Sequence, residues 1–128
     1  MESTVSIEQF REELQSWKHE LSSIKEEIRH FEHQLEKMAS KKLPKELLGL
    51  VEHFQNSFIC QKEVIDKLRH DLPDSGGKVE SIFISSHPVY RGGEEMDRHG
   101  ALDERMRTFR KIYTEIRQDF KHFRSDWM

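Results

Sequence analysis

The sequence has little of what builds covalent, catalytic or membrane-embedded structure. Cys60 is the single cysteine among 128 residues, so the chain can form no internal disulfide and no cysteine-based metal site. No window approaches the roughly 18 consecutive apolar residues that a membrane-spanning helix needs. The first residues lack a basic stretch followed by an apolar run, so no secretory signal is expected. We therefore expect a cytoplasmic protein with no membrane contact.

Glycine and proline are also scarce, at six and three residues, whereas charged residues make up 35% of the chain. This composition is typical of long helices with solvated faces, because a slender bundle has much surface for each unit of core. A chain of this length usually forms one domain. The composition thus favours a single all-α domain over residues 1–128.

The first 40 residues carry apolar side chains alternately three and four apart, which is the heptad spacing of a coiled coil. The spacing predicts helix 1 over residues 6–40. Its core positions are Ile7, Phe10, Leu14, Trp17, Leu21, Ile24, Ile28, Phe31, Leu35 and Met38.

Two further segments repeat the heptad. Helix 2 is predicted over residues 44–72, with Pro44 suited to its first turn and Pro73 ending it. Helix 3 is predicted over residues 101–128, and its last core position, Trp127, indicates a docked C-terminal end. The core positions are Leu47, Val51, Phe54, Phe58, Gln61, Ile65, Leu68 and Leu72 in helix 2, and Leu102, Met106, Phe109, Tyr113, Ile116, Phe120, Phe123 and Trp127 in helix 3.

The charges beside these seams favour one topology. Two sets of three lie at complementary heptad positions: Glu13, Glu20 and Glu27 in helix 1, and Arg110, Arg117 and Arg124 in helix 3. Such positions pair between parallel helices. A short first connection makes helix 2 antiparallel to helix 1. An up-down-up, coiled-coil-like bundle satisfies both conditions, and residues 73–100 form a long irregular loop.

The same charges permit a second interpretation. Glu13 with Lys18, and Glu20 with Lys25, would also pair if helix 1 met its own copy in parallel. Self-association is therefore expected as well. Gln61 interrupts the seam of helix 2, and a buried polar residue at such a position often sets register or partner number. Gln61 and the six flanking charges are the predicted register-setting residues.

No constellation of residues indicates catalysis. Glu27 and His30 have the Glu-x-x-His spacing of di-iron bundles, but in this register neither side chain projects into the core. Cys60 has no assignable base, and His99 falls in the predicted loop. Phosphate-binding loops and nucleophile elbows are absent. We expect no enzyme, no metal, no cofactor and no small-molecule substrate.

Two apolar surfaces are candidates for docking a partner. Leu48, Leu50 and Val64 widen the apolar face of helix 2, and the loop run Ile82, Phe83, Ile84, Val89 and Tyr90 is the other. The loop could equally cover helix 2. The sequence thus predicts a non-enzymatic protein–protein interaction protein, namely an adaptor, scaffold or assembly factor. The alternative is nucleic-acid binding through the basic residues of helix 3, which the interspersed acids disfavour.

Overall fold

The computed structural model describes residues 7–72 and 88–127. Within these ranges there are three helices and no strand, which confirms the expected all-α class and fits a helical bundle. The helices are α1 (Ile7–Ala39), α2 (Lys45–Asp71) and α3 (Pro88–Trp127). None of the described helices combines the length and the apolar character that crossing a membrane requires.

The core consists of the side chains that the spacing predicts. From Phe10 onwards, all but three of the predicted positions are buried, and Ile24 and Ile116 pack half-buried against the same cluster. Gln61 is the one polar member, with 8% of its surface exposed. Trp127 is the exception, because 56% of it is exposed and the predicted docking of the C-terminal end is therefore wrong.

Phenylalanines from all three helices meet in one cluster. The ring centroids of Phe31 in α1 and Phe120 in α3 lie 4.8 Å apart, and Phe58 of α2 lies 5.6 Å from Phe31. Phe54 approaches Phe120 at 5.4 Å and Phe123 at 5.1 Å. Tilted and edge-on aromatic contacts add to the large apolar area that each ring buries.

The turn between α1 and α2 is short and is built around Pro44. Ser40 donates its backbone N–H to Glu36, and its hydroxyl donates to the carbonyl of Lys37 at 2.7 Å. Pro44 precedes the first residue of α2, and its carbonyl accepts the N–H of Leu47 at 3.0 Å. Because proline has no N–H to leave unsatisfied, it suits this place at a helix start.

The predicted start of helix 3 near residue 101 is corrected to Pro88, so residues 88–100 are helical and not irregular. The Gly92-Gly93 pair lies inside the helix. A glycine inside a helix lowers the stability of that helix by about 1 kcal/mol relative to alanine, and α3 is helical here despite this cost. The heptad could not reveal this segment, because Gly92 and Glu95 occupy its seam positions and provide no apolar stripe.

Replacing Phe120 with alanine should strongly destabilise the bundle. The side chain is fully buried among rings of three helices, so we expect the free energy of unfolding to fall by about 3–5 kcal/mol. Urea unfolding followed by circular dichroism measures this loss. The control is Ile59→Ala, at a residue 47% exposed, which should change stability by less than about 0.5 kcal/mol. Equal losses from the two variants would contradict this core.

Substitution of either of two glycines should instead stabilise the protein. A Cβ built at Gly49 or Gly100 meets no atom within 4 Å, and both residues lie inside helices. Alanine restricts the unfolded chain more than glycine does, so Gly49→Ala and Gly100→Ala should each stabilise the protein by roughly 0.5–1 kcal/mol. The same urea titration tests this. A loss of stability in either variant would mean that the site has less space than the structure gives it.

Candidate protein-docking groove

The boundary between α1 and α3 is closed by charged side chains. Arg110 donates from Nε and Nη2 to the two carboxylate oxygens of Glu20, at 2.7 and 2.8 Å. This two-point geometry is the strong form of an arginine–carboxylate pair. The hydrogen bonds to Glu20 raise the pKa of Arg110. One member of each predicted charge set, Glu20 and Arg110, is therefore paired.

One heptad further along α1, a second carboxylate accepts hydrogen bonds from two side chains. The Oε1 atom of Glu27 accepts hydrogen bonds from Tyr113 at 2.5 Å and from Arg117 at 2.8 Å. Burial alone would raise the pKa of Glu27, but the two hydrogen bonds and the charge of Arg117 outweigh it and lower the pKa. Burial and the bond to Glu27 together raise the pKa of Tyr113. Glu27 thus holds a core tyrosine and a flanking arginine at once.

The ends of this row differ from the predicted Glu–Arg pattern. Arg124 donates to Gln34 at 3.2 Å, and its guanidinium carbon lies 5.5 Å from the centre of the Phe31 ring. At the other end, Glu13 hydrogen-bonds His99 and not an arginine. His99 lies in α3 and not in a loop, and its ring stacks on Trp17 with centroids 5.5 Å apart.

The boundary between α1 and α2 is closed in the same way. Lys25 of α1 contacts Asp66 of α2 at 2.6 Å, and Lys62 of α2 contacts Glu32 of α1 at 2.9 Å. Lys25 and Glu20 are therefore occupied inside the chain. The pairing of helix 1 with its own copy stays a prediction.

The boundary between α2 and α3 is different. Arg105 meets Asp71 at 3.0 Å at one end, and beyond this pair a groove of about 470 Å³ opens between the helices. Two solvent-exposed apolar side chains flank it: Val64 of α2, which is 39% exposed, and Ile112 of α3, which is 43% exposed. Further lining residues include Leu68, Ala101, Thr108 and Phe109. Lys67, Glu104 and Arg105 line the groove as well, so apolar side chains share it with charged ones, and among the described residues the Arg105–Asp71 pair is the ion pair that joins α2 to α3.

A polar group also reaches this groove. Gln61 lines it, with 8% of its surface exposed. Gln61 therefore gives the groove a polar point.

The predicted docking residues are only partly brought together. Val64 flanks the groove, whereas Leu48 and Leu50 are exposed at the opposite end of α2, at 37% and 44%. Val89 and Tyr90 belong to the first turn of α3. The remaining predicted members, Ile82, Phe83 and Ile84, lie outside the described residues.

Ile112 was missed by the sequence reading. It directly precedes the core residue Tyr113, so it flanks the seam of helix 3 as Val64 flanks the seam of helix 2. Applying the search for flanking apolar residues to helix 3 as well as helix 2 would have found it. The two residues lie on facing helices, which a single helix pattern cannot reveal.

The groups that suggested metal or thiol chemistry stand apart from one another. Six histidines in the described helices are exposed, namely His19, His30, His33, His53, His70 and His122. Cys60 is exposed too. In the part of the chain that the structure describes, no three histidine, cysteine or acidic side chains converge as a metal site would require.

Comparison with known proteins gives no relative: no family model, curated protein or solved structure matches the chain. Its function is therefore inferred from its own geometry.

The Glu27 network should contribute stability that depends on pH. Since folding lowers the pKa of Glu27, its contribution is present above the ordinary value of 4.5 and is lost as the pH falls through the folded-state pKa. Glu27→Gln should cost roughly 1 kcal/mol at neutral pH and less in acid. Urea titrations between about pH 7 and pH 3 measure both. Glu36→Gln, at a side chain 75% exposed, is the control and should change stability little. A pH-independent cost for Glu27→Gln would contradict the network.

Proposed function

We propose that this chain is a non-enzymatic protein–protein interaction module of the cytoplasm, which docks a protein partner along the groove between α2 and α3. Adaptor, scaffold and assembly roles all fit such a module. The architecture we propose for it is an up-down-up, coiled-coil-like bundle. Its support is that the arginines of α3 contact α1 at a constant separation in sequence, 90 residues from Glu20 to Arg110 and from Gln34 to Arg124.

Contacts between α2 and the other two helices support the same arrangement. Lys25 meets Asp66, whereas Glu32, later in α1, meets the earlier Lys62 in α2. Between α2 and α3, Asp71 meets Arg105 at one end and Phe54 meets Phe123 towards the other. Partners that advance in opposite directions are what antiparallel neighbours give.

The proposal rests on one observation: the three boundaries between helices are not equally covered by ion pairs and hydrogen bonds. Ion pairs and hydrogen bonds close two of them, while the third exposes Val64 and Ile112 beside an apolar groove. Exposed apolar surface of this kind is costly in water and is typical of protein contact sites. An amphipathic helix with apolar anchors three and four residues apart fits a groove between two helices.

Binding to nucleic acid is less well supported, because the arginines of α3 from residue 105 onwards, whose side chains the structure describes, are already occupied. Arg105, Arg107, Arg110 and Arg117 each pair with a carboxylate, and Arg124 pairs with Gln34. Phosphate contacts would have to displace these partners. Apart from Arg107, whose partner Asp103 lies in α3 itself, the arginines that would supply affinity for a nucleic acid are those that join the helices.

A photo-crosslinking amino acid at position 112 tests the docking proposal in cells that express the chain. We expect position 112 to form a covalent adduct with a polypeptide, because the groove holds a partner within reach. Mass spectrometry of the adduct identifies the linked peptide and shows whether it comes from this chain or from another protein.

Position 59 provides the matched control. Ile59 is an isoleucine of similar exposure, 47% against 43% for Ile112, but it lies outside the groove. It should give little or no adduct. Equal adducts from both positions, or none from position 112, would overturn the proposal that the groove is the docking surface.

A further inference from the structure

We propose that the partner docked along α2 and α3 is a basic amphipathic helix of another protein, with lysine or arginine side chains between two apolar anchors. This inference rests on the proposed docking function and names the chemistry of the partner. It is carried by a second exposed apolar residue in line with the groove, and by a pair of acids between the two that no described side chain neutralises.

The second apolar residue is Leu50. It is 44% exposed and lies fourteen residues before Val64 on α2, which is two heptads, so both project from the same side of the helix. The distance between them along α2 is about 21 Å. One exposed apolar point is thus the Val64–Ile112 pair at the groove, and the other is Leu50, about four helical turns away.

An acidic pair lies between these two apolar points. The groove-lining residues of α3 recur three and four apart, as Arg105, Thr108 and Ile112 do. The same spacing continues to Glu115 and Asp119, so they lie on the same side of α3. Both are exposed, and neither forms an ion pair with a described residue. Like charges four residues apart repel each other, so this pair slightly destabilises the helix when nothing is bound.

Within the described residues, α2 presents no cation opposite Asp119. The residue at its level is Ser57, because each directly precedes a member of the Phe58–Phe120 contact, whose ring centroids are 5.3 Å apart. Lys67 lines the groove but lies ten residues from Ser57, about 15 Å along α2. The acid on α3 therefore faces a neutral hydroxyl group.

Nearer cations are engaged elsewhere or form no ion pair. Lys62 of α2 and Arg117 of α3 both pair with carboxylates of α1. Lys111 lies four residues before Glu115, yet it makes no ion pair with a described residue. Complementary charge across a contact selects partners, so the acidic pair favours lysine and arginine and disfavours acidic peptides and the phosphates of nucleic acid.

These positions define the pattern of the partner. A helix lying along the face would place one apolar side chain against Val64 and Ile112 and a second one about fourteen residues away, against Leu50. Basic side chains roughly one and two turns from the first anchor would reach Glu115 and Asp119. The order apolar, basic, apolar is therefore expected along one face of the partner.

Photo-crosslinking amino acids at positions 112 and 50 of the full chain test this pattern in cells. Both should link to the same polypeptide, at sites about fourteen residues apart with lysine or arginine between them, which mass spectrometry of the adducts shows. Position 48 is the matched control. Leu48 is 37% exposed, close to Leu50, but it lies out of line with Val64 and should give little or no adduct with that polypeptide.

Neutralising the acids tests the charge. Glu115→Gln with Asp119→Asn should lower the yield of the position 112 adduct roughly three- to tenfold, since two exposed ion pairs are lost. Glu52→Gln with Glu63→Gln is the control, because it makes the same charge change at exposed acids that do not line the groove. Removal of the Glu115–Asp119 repulsion should leave stability in urea unchanged or higher, so unfolding would not explain a loss of adduct.

Salt provides an independent measurement. Exposed ion pairs are screened by salt, so raising sodium chloride from about 0.05 M to 0.5 M in a cell extract should reduce the position 112 adduct of the parent chain. The neutralised variant should respond less. A parent adduct that is insensitive to salt would contradict a basic partner.

The remaining outcomes separate this inference from the docking function on which it rests. A linked peptide without basic residues between the anchors, an adduct that the neutralised variant forms as the parent does, or a linked peptide from this chain itself would each overturn the basic partner while the docking function stands. If position 112 links to no polypeptide, both are wrong.

Discussion

Bulky aromatic side chains along the seams of slender helices need cover from more than one side. A ring such as Phe31 is too large to be enclosed by one facing helix, and in this bundle Phe58 from α2 and Phe120 from α3 enclose it together. The burial of these rings is the largest stabilising contribution the core can make. The third helix is therefore a requirement of the core, and the alignment of α1, α2 and α3 depends on bringing the rings to one level.

The polar side chains act within the limits set by that core. Pairs exposed to water contribute little free energy individually, yet they favour one alignment over others. Glu27 is an example, since its carboxylate accepts hydrogen bonds both from a tyrosine of the core and from an arginine that flanks the core. Because such groups close two boundaries and are scarce, among the described residues, on the third, the choice of residues that aligns the helices also leaves apolar side chains open between α2 and α3.

Much of the fold could be predicted from the spacing of apolar residues, because burial follows the helical period closely. Gln61, read as a polar interruption of a seam, is indeed almost fully buried; its role in register stays a prediction. The period could not reveal the first turns of α3, where Gly92 and Glu95 occupy the seam positions. His99 was missed for the same reason, because it continues the seam of α3 with a ring that is not apolar yet stacks on Trp17. The groove depends on Val64 and Ile112 lying on different helices, and only the packing brings them together.

The two tryptophans of the chain lie in contrasting surroundings. Trp17 is 5% exposed and stacks on an imidazole, whereas Trp127 is 56% exposed near the last turn of α3. An indole shielded from water emits at shorter wavelength than one in contact with it, so the natural chain carries two distinguishable optical reporters. One senses the packing of α1 against α3, and the other senses the opposite end of the bundle. Changes at the two ends of the molecule can thus be followed separately without any label.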